Sequence, residues 1–421
     1  MPPLRQGVAD LGFVAACKKL GYHPYPIPAA IASVDYQGRS ACVYCGFCHG
    51  FPCHVGAKSS THVTCIARGL ATGNLEIRPF ARVFRVNRDE TGRRVVGVSY
   101  FDADGNVQEI EAPTVILAAY ALENARLLLA SEIDGGGQVG QNLMVHNRGW
   151  YTALLPEPTN PFMGPLVGAS VIDDVASELV PDNDEGVLWG SPVTSWPGDT
   201  QPIEVAHNLP AGLPRWGKEY KDWLRQNYRR LYKTYSQTAT FPSKRYYCDL
   251  DPKVKDKFGQ PALRLTHDWA DHDRKAVEFM MKIKRAIGQE MGVIQAWEDP
   301  PTPPYHVTTH DVGTHRMGLD PALSVVDPFG EAHCGYPGRP SRRTYLPTIR
   351  RRPLARGGRS IPSASAADHS IRRRTAFGGG VLVVSSHIRS LPARKTNRDA
   401  GSSCEAPGWR PGGEHRGPSR A

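Results

Sequence analysis

A continuous apolar run, Thr114-Val-Ile-Leu-Ala-Ala119, limits what the middle of this chain can fold into. The run does not alternate with polar residues, so both of its faces must be buried, as in a parallel strand covered by helices. The next segment, Glu123–Ser131, has the apolar spacing of a helix. A buried strand followed at once by a helix is the repeating unit of α/β proteins. The sequence therefore predicts an α/β domain here.

The first 150 residues supply further elements of that domain. Residues 4–19 have helical spacing, a helix opens after Gly56 and extends to about Leu70, and residues 74–86 predict a strand. Residues 94–112 alternate in polarity around Asp102-Ala-Asp-Gly-Asn, a turn that is typical of a β-hairpin.

From about residue 147 to residue 300 the pattern changes. Residues 150–155 and 235–240 predict strands of an antiparallel sheet, and a polar turn over residues 251–261 separates them from a further strand. Residues 271–292 predict a helix with one apolar face, whose methionines are most simply core residues. We expect an α+β domain in this part of the chain.

Size and charge exclude several classes of protein. A chain of 421 residues is long enough for two domains with cores of their own, and no run of 18 apolar residues predicts a membrane span. The net charge of +10 is uneven: residues 334–421 hold 18 basic and 4 acidic residues, so of the 51 basic and 41 acidic residues in the chain, 33 and 37 remain for residues 1–333. The body is mildly acidic, and we do not expect it to bind nucleic acid.

Four of the nine cysteines, Cys42, Cys45, Cys48 and Cys53, lie within twelve residues. Three thiolates at this spacing can converge on one metal ion or cluster. An iron–sulfur cluster, a zinc ion and reduced structural cysteines remain open as interpretations. Cys45-Gly-Phe-Cys48-His49 also fits the motif for covalent haem, which requires export, and no signal peptide is visible.

The segment 305–333 contains three histidines within ten residues, His306, His310 and His315. Two nearby glycines, Gly313 and Gly318, favour a tight loop over a long helix. Histidine is the side chain best suited to take a proton near neutral pH, although loop histidines are more often structural than catalytic.

The sequence of this segment resembles that of a known protein family. His310-x-x-Gly313-Thr314-x-x-Met317-Gly318, followed by Asp320-Pro and Ser324-Val-Val-Asp327, is similar to the C-terminal signature of the glucose–methanol–choline (GMC) oxidoreductases. These flavoenzymes oxidise alcohols with bound FAD, and the likeness is greatest to gluconate 2-dehydrogenase flavoproteins and related bacterial sugar and polyol dehydrogenases. The resemblance implies that His310 lies beside the flavin and acts as base toward the substrate hydroxyl.

The resemblance also implies an architecture. Residues 1–150 would form part of an FAD-binding domain of the glutathione-reductase-like class, residues 151–300 a substrate domain, and residues 301–348 the return to the FAD domain. Val83, Ala118 and Ala119 would contact FAD. Some sugar dehydrogenases in the group carry an iron–sulfur cluster before a Gly-Ala pair, which matches Cys53-His-Val-Gly-Ala57, and a cytochrome would then accept the electrons.

The chain departs from the family at its start. No strand, Gly-rich turn and helix lie ahead of the cysteines, although an FAD domain needs that unit to hold the pyrophosphate. A Gly-x-Gly-x-x-Gly does occur at Gly135, Gly137 and Gly140, but it follows a helical segment and predicts a loop. We expect that the chain begins inside the protein, binds FAD weakly and is inactive.

The chain also departs from the family after His333. The family has an aromatic-Pro-Thr and then Gly-Gly-x-Asn-Pro, whose asparagine is the second catalytic partner; here Tyr345-Leu-Pro-Thr348 is followed by Ile349-Arg-Arg-Arg-Pro353. A GGC-GGC pair read one base out of phase yields CGG, an arginine codon. We favour an out-of-frame reading for much of residues 334–421, with a strand expected only near Tyr345–Thr348 and an irregular tail over 349–421. The rival is a disordered basic tail that binds nucleic acid.

Two other classes of function remain as alternatives to the enzyme. The chain could be a metal-binding or iron–sulfur fragment without catalysis, built on the cysteines, or a basic-tailed nucleic-acid-binding protein. The sequence does not identify the cellular compartment, and both the cytoplasm and the periplasm stay open.

Overall fold

The computed structural model describes residues 1–48, 51–164, 170–176, 180, 183–196, 205–206, 208–298, 310–333, 344–345 and 381–384, the last two segments by their backbone. All of them belong to one compact unit, Met1–His387. The second unit, Ile388–Ala421, and the histidine His306 lie outside the described residues.

The described helices and strands have the following bounds. The α-helices are α1 (Val8–Lys19), α2 (Cys65–Ala71), α3 (Ala121–Ala130), α4 (Gly217–Asn227) and α5 (Asp271–Glu290), with 3-10 helices at Thr61–Val63 and Tyr228–Arg230. The strands are β1 (Tyr25–Pro26), β2 (Arg82–Arg88), β3 (Val95–Phe101), β4 (Val107–Glu111), β5 (Thr114–Leu117), β6 (Asn147–Leu154), β7 (Ser170–Ile172), β8 (Val193–Ser195), β9 (Leu231–Thr238), β10 (Tyr247–Lys255), β11 (Pro261–Thr266), β12 (Gln295–Glu298), β13 (Thr344–Tyr345) and β14 (Val381–Val384).

These strands form four sheets, and the predicted mixture of α/β and antiparallel structure is confirmed. Strands β2, β3 and β4 make an antiparallel meander, and β10 pairs with β11 as a hairpin. Strand β5 lies between β13 and β14 in a parallel sheet. The largest sheet is antiparallel throughout and has the order β1-β7-β8-β9-β6-β12.

Three elements differ from their predictions. Residues 74–80 are not strand, because Pro79 cannot donate a ladder hydrogen bond and Phe80 has φ +60°, so β2 begins at Arg82. The helix expected from Gly56 starts later, as a 3-10 turn and then α2. The predicted turn over 251–261 is shorter, because β10 continues to Lys255 with an irregular register.

The C-terminal region contributes two strands to the parallel sheet. Strand β13 is consistent with the strand expected near Tyr345, and it pairs with Val115 and Ile116. Strand β14 pairs with all four residues of β5, and the expectation of a strand only near Tyr345–Thr348 was wrong in this respect. Its run of Val-Leu-Val-Val has the β-branched composition that favours a strand. The rest of residues 334–421 lies outside the described part of the chain.

The first hydrophobic core lies between the meander, β5 and α3. Its buried side chains include Val98, Leu117 and Leu128, and Val325 and Val326 of the histidine loop pack into the same cluster. Burying a side chain of this size stabilises the fold by roughly 1.5–3 kcal/mol. The loop that carries His310 is therefore anchored to the core around β5.

The second core lies between the six-stranded sheet and the helices α1 and α5. Phe13, Met280 and Ile287 are fully buried there, which confirms that the methionine face of α5 is core. Lys284 is fully buried as well, and its Nζ donates to the carbonyl of Gly149 at 2.6 Å and to Oγ of Ser236 at 2.9 Å. This lysine ties α5 to both β6 and β9.

Candidate active site

The turn between β5 and α3 is held by a buried asparagine. Asn124 accepts a hydrogen bond from the backbone N–H of Ala119 at 2.9 Å and donates to the carbonyl of Leu117 at 3.0 Å. Its amide therefore satisfies one donor and one acceptor at the end of the strand. Ala118 is exposed, Ala119 is buried, and Tyr120 has φ +84°, an uncommon conformation for a residue with a side chain.

Tyr120 connects this turn to the histidine loop. Its hydroxyl donates to the Asp311 carboxylate and accepts a hydrogen bond from the backbone N–H of Asp311 at 2.9 Å. Burial and the neighbouring carboxylate raise the pKa of Tyr120, so the phenol stays protonated and keeps its donor. The residue next to His310 is thus fixed at two points to the end of β5.

Residues 312–314 follow a path that their local sequence dictates. Met144 and Val312 exchange two backbone hydrogen bonds of 2.9 Å each. Gly313 has φ +86°, and an added Cβ there would lie 2.0 Å from the carbonyl oxygen of Asn142. Thr314 is buried with φ +56°, and its hydroxyl donates to the carbonyl of Ala121 at 3.0 Å. The Gly-Thr pair of the motif allows this close approach of two backbones.

His310 itself is exposed, and two polar side chains hold its ring. Nδ1 of His310 lies 2.8 Å from Nε2 and 3.0 Å from Oε1 of Gln237 in β9. The same Nδ1 lies 3.3 Å from Nδ1 of His146, with the two rings nearly perpendicular. Both contacts are made through one nitrogen of the ring, so the ring's orientation is set from the side of the six-stranded sheet.

His315 has a different environment from His310. It is buried, and its Nδ1 lies 2.9 Å from the hydroxyl of Thr314. Burial lowers the pKa of His315 to about 4, so the ring is neutral at physiological pH. Of these two histidines, His310 is therefore exposed and His315 is a buried, structural residue.

The predicted FAD contacts lie in two places. Ala118 and Ala119 follow the last residue of β5 and directly precede Tyr120, so they adjoin the residues that fix the His310 loop. Val83 lies in β2, where it pairs with Tyr100 and packs half-buried against the first core. The structure thus connects the two alanines to the His310 site, whereas Val83 belongs to the meander.

The end of β5 has the features that a flat cofactor requires. In open parallel sheets, ligands bind outside the carboxyl ends of the strands. Strand β5 ends at Leu117 between two parallel neighbours, Ala118 presents only a methyl group to solvent, and the His310 loop is attached at this same end. The carboxyl end of β5 is therefore the edge at which a sheet of this kind binds a ligand.

The cysteine segment packs on a small cluster of its own. Cys42, Cys48 and Cys53 lie against Ile31 and Ala57, and the described cysteines of the chain form no disulfide. Within the described residues, which leave out His49 and Gly50, no group of three or more cysteine, histidine or carboxylate side chains is placed to hold a metal ion.

The four sulfur atoms nevertheless influence one another. Burial raises the pKa of Cys42, and the negative charges of Cys48, Cys45 and Cys53 raise it further, against a backbone hydrogen bond from Tyr44. Burial alone would raise the pKa of Cys53, but the backbone N–H groups of residues 55–58 outweigh it and hold that pKa below the ordinary value. The segment thus brings the four cysteines near one another without forming a metal site in this structure.

Four residues at the site were not identified from the sequence. Asp311 is adjacent to His310, and Tyr120 follows the predicted strand, but only the fold joins them. His146 ends the segment Asn142-Leu-Met-Val-His146, where a lone histidine before a strand gives no signal. Gln237 lies at a polar position of β9, and polar residues at such positions usually face solvent.

Two family models, both described as GMC oxidoreductase, match the chain. The N-terminal model covers residues 5–148, and the C-terminal model covers residues 242–334. The second match includes the whole described loop of His310, and the first includes β5 and α3.

Several curated proteins are similar in sequence. The chain is 31% identical over 337 residues to the gluconate 2-dehydrogenase flavoprotein of Pantoea cypripedii, covering 75% of this chain and 55% of that protein. It is 25% identical over 344 residues to the fructose dehydrogenase large subunit of Gluconobacter japonicus, covering 79% and 60%. It is 25% identical over 348 residues to the 2-methyl-1,2-propanediol dehydrogenase of Mycolicibacterium austroafricanum, covering 77% and 59%. The chain thus spans little more than half the length of these relatives.

A solved structure supports the fold. An FAD-dependent oxidoreductase from Chaetomium thermophilum superposes with a TM-score of 0.51 at 13% identity, covering 82% of this chain and 67% of that one. At this identity the likeness concerns the fold alone.

Proposed function

Because the chain belongs to the GMC oxidoreductase family, we propose that it acts in the FAD-dependent oxidation of a CH–OH group, with His310 as the base. One observation carries this proposal. The His310 loop is attached through Tyr120 and Asp311 to the carboxyl end of the parallel strand β5, where cofactors bind in sheets of this kind.

Bound FAD would supply the hydride acceptor. His310 would take the hydroxyl proton on Nε2 while the carbon-bound hydrogen leaves with its electron pair, and the alcohol becomes a carbonyl compound. Ala118, Ala119 and Val83 are the proposed contacts to FAD, the first two at the end of β5. General-base assistance of this kind contributes about 10²–10⁴-fold to a rate.

We propose a sugar, sugar acid or polyol as the substrate. The names of the relatives from Pantoea, Gluconobacter and Mycolicibacterium refer to gluconate, fructose and a diol. The structure adds an aromatic cluster: the rings of Trp189, Phe241 and His272 pack with centroid distances of 4.1–4.9 Å.

This cluster is joined to the end of the strand that carries Gln237. Nε1 of Trp189 donates to the carbonyl of Ala239, two residues after Gln237, the side chain that contacts His310. A site with aromatic walls and a few fixed polar groups is typical of small-molecule pockets. A site of this kind would suit a substrate whose CH groups pack on the aromatic rings and whose hydroxyl groups bind the polar side chains.

The predicted domains are part of this proposal. Residues 1–150 would be the partial FAD-binding domain, residues 151–300 the substrate domain, and residues 301–348 the return to the FAD domain. The sequence instead predicts a chain that binds FAD weakly and is inactive, and the assay below, with FAD in excess, decides between that prediction and the proposed function.

A second proposal concerns Cys42, Cys45, Cys48 and Cys53. The mutual effect of these cysteines on the pKa of Cys42 places them near one another, but no three metal-ligating side chains of the described residues are placed to hold a metal ion, so an iron–sulfur cluster rests on the cysteine spacing in the sequence alone. A cluster would pass electrons from FAD to an external carrier, which we propose to be a cytochrome subunit; the Gluconobacter relative is itself named a large subunit. Iron and sulfide assays on anaerobically purified protein test it, and full activity without iron would exclude it.

The function is tested by mixing the chain anaerobically with excess FAD and one alcohol at a time from a panel of sugar acids, sugars and diols. We expect loss of the oxidised flavin absorbance with at least one of them. The substitution His310→Gln should slow this reduction at least about 100-fold. His62→Gln, at an exposed position on the 3-10 turn before α2, is the matched control and should keep the wild-type rate.

A further inference from the structure

The contact between His146 and His310 follows from the backbone register. Met144 and Val312 are an antiparallel pair that exchanges two hydrogen bonds of 2.9 Å. In an antiparallel pair, the residue two positions after one partner lies opposite the residue two positions before the other. Counting in this way from Met144 and Val312 brings His146 directly opposite His310.

The six-stranded sheet supports the same pair from a second side. Arg148 in β6 pairs with Gln237 in β9. Because side chains alternate along a strand, His146 and Arg148 face the same side, and Gln237 faces that side as their neighbour on the next strand. Both His146 and Gln237 contact Nδ1 of His310. Two independent pairings therefore converge on one ring nitrogen.

The two rings are close enough to share a hydrogen. The Nδ1 atoms are 3.3 Å apart. For a hydrogen bond between them, one nitrogen must carry the hydrogen and the other must present a lone pair, since each neutral imidazole has a single N–H. If His310 is to take a proton on Nε2, its own hydrogen must lie on Nδ1. Nδ1 of His146 and Oε1 of Gln237 would then be the acceptors, which requires that the Gln237 amide direct its oxygen, at 3.0 Å, and not its Nε2, at 2.8 Å, to this hydrogen.

We propose that His146 is a positioning residue that holds His310 in the Nδ1–H tautomer and accepts its Nδ1 proton when Nε2 of His310 is protonated. In the balanced step, the substrate hydroxyl proton moves to Nε2 of His310, the Nδ1 proton of His310 moves to Nδ1 of His146, and the positive charge ends on His146. This inference rests on the proposed function, in which His310 is the base.

Other polar groups border the pair. The carboxylate of Asp311 follows His310 in the chain and accepts the hydroxyl hydrogen of Tyr120, and Gln237 is uncharged. Tyr120 stays protonated because its pKa is raised by burial and by Asp311. Arg148 faces the same side as His146, so the charged neighbours of the two rings are one carboxylate and one guanidinium.

The first test uses the full chain without FAD. Nitrogen-15 NMR of the imidazole rings identifies which nitrogen carries the hydrogen at alkaline pH. We expect His310 as the Nδ1–H tautomer and His146 as the Nε2–H tautomer. A neutral His310 with its hydrogen on Nε2 would overturn the proposal, and this measurement requires no variant.

The second test compares titrations. In the wild-type chain the His146 and His310 rings should titrate as a coupled pair, in two steps that both rings report. In His146→Gln, His310 should titrate in one step. His23→Gln, an exposed ring that contacts Asp174, is the control and should leave the His310 curve unchanged. An identical His310 curve in wild type and His146→Gln would contradict the coupling.

A kinetic measurement distinguishes failure of this inference from failure of the proposed function. If the wild-type chain reduces added FAD, His146→Gln should shift the acidic limb of the pH–rate profile together with the His310 midpoint, whereas a purely structural loss would lower the rate equally at all pH values. If no alcohol reduces FAD, the proposed function fails, while the tautomer and the titration still decide whether the pair shares a proton.

Discussion

The hydroxyl of Tyr120 and residue Asp311 are joined in both directions: the phenol donates to the carboxylate and accepts from the backbone N–H of the same residue. The two residues are 191 positions apart in the sequence. This reciprocal contact fixes the loop of His310 to the end of β5. The position of the base therefore depends on a strand end and a tyrosine hydroxyl far away in the chain.

Tyr120→Phe should loosen that attachment. It removes one donor from the buried Asp311 carboxylate, and a hydrogen bond to a charged group contributes about 1.5–3 kcal/mol. We expect urea unfolding to show a loss of stability in that range. Tyr36→Phe, which removes an exposed hydroxyl, should change the stability by less than about 0.5 kcal/mol. Equal stabilities of the two variants would contradict the role of the reciprocal contact.

Gly313→Ala should be more damaging than an alanine at another left-handed glycine. At Gly313 (φ +86°) a Cβ would meet the carbonyl oxygen of Asn142 at 2.0 Å, whereas at Gly136 (φ +66°) it would meet nothing within 4 Å. Gly136→Ala measures the backbone strain alone, about 1 kcal/mol. We expect Gly313→Ala to cost at least about 3 kcal/mol by urea unfolding. A similar loss in both variants would show that the two backbones can separate there without cost.

Asp273→Asn should raise stability at neutral pH. Burial raises the pKa of Asp273 to about 6, above the ordinary value of an unfolded aspartate. The folded chain therefore holds a proton that the unfolded chain has released, and wild-type stability falls as the pH rises from about 4 to 6. Asp273→Asn keeps a side-chain oxygen that accepts the backbone N–H of Ala270. Its free energy of unfolding should rise relative to that of wild type by about 2 kcal/mol across this pH range. Asp271→Asn, exposed in the same first turn of α5, is the control. A stability difference between Asp273→Asn and wild type that does not change with pH would contradict the raised pKa of Asp273.

His315→Gln should remove a stability loss in acid. Burial lowers the pKa of His315 to about 4, below the ordinary value near 6.5, so the contribution of the neutral ring is complete above pH 6.5 and is lost as the pH falls toward 4. Wild-type stability relative to the variant should fall by about 2–3 kcal/mol between pH 7 and 4. The stability difference between wild type and His62→Gln should not change with pH. If the difference between wild type and His315→Gln were also constant from pH 7 to 4, the His315 ring would not be held neutral.

Much of the fold was predictable because it is local. The apolar run at Thr114, the helix over residues 271–292 and the hairpin around Asp102 each have a period or a turn signal that requires one kind of element. The motif around His310 identified the loop, because Gly313 is needed where two backbones approach.

The rest depends on distant pairings that a single sequence does not record. Nothing local predicts that Met144 pairs with Val312, and this register is what brings His146 to His310. The Tyr120–Asp311 contact is equally non-local. Strand β14 was overlooked because four apolar residues within an arginine-rich tail are too short a signal without the parallel partner β5.

The central claim is that His310 at the end of β5 is the base for alcohol oxidation by FAD. The most direct measurement is the anaerobic decrease of oxidised flavin absorbance with excess FAD and a sugar acid, sugar or diol, in wild type and His310→Gln. The account predicts that wild type is reduced and that His310→Gln is at least about 100-fold slower, with its fold intact by circular dichroism. Equal rates in the two proteins, or no reduction of the wild type by any alcohol at saturating FAD, would contradict it.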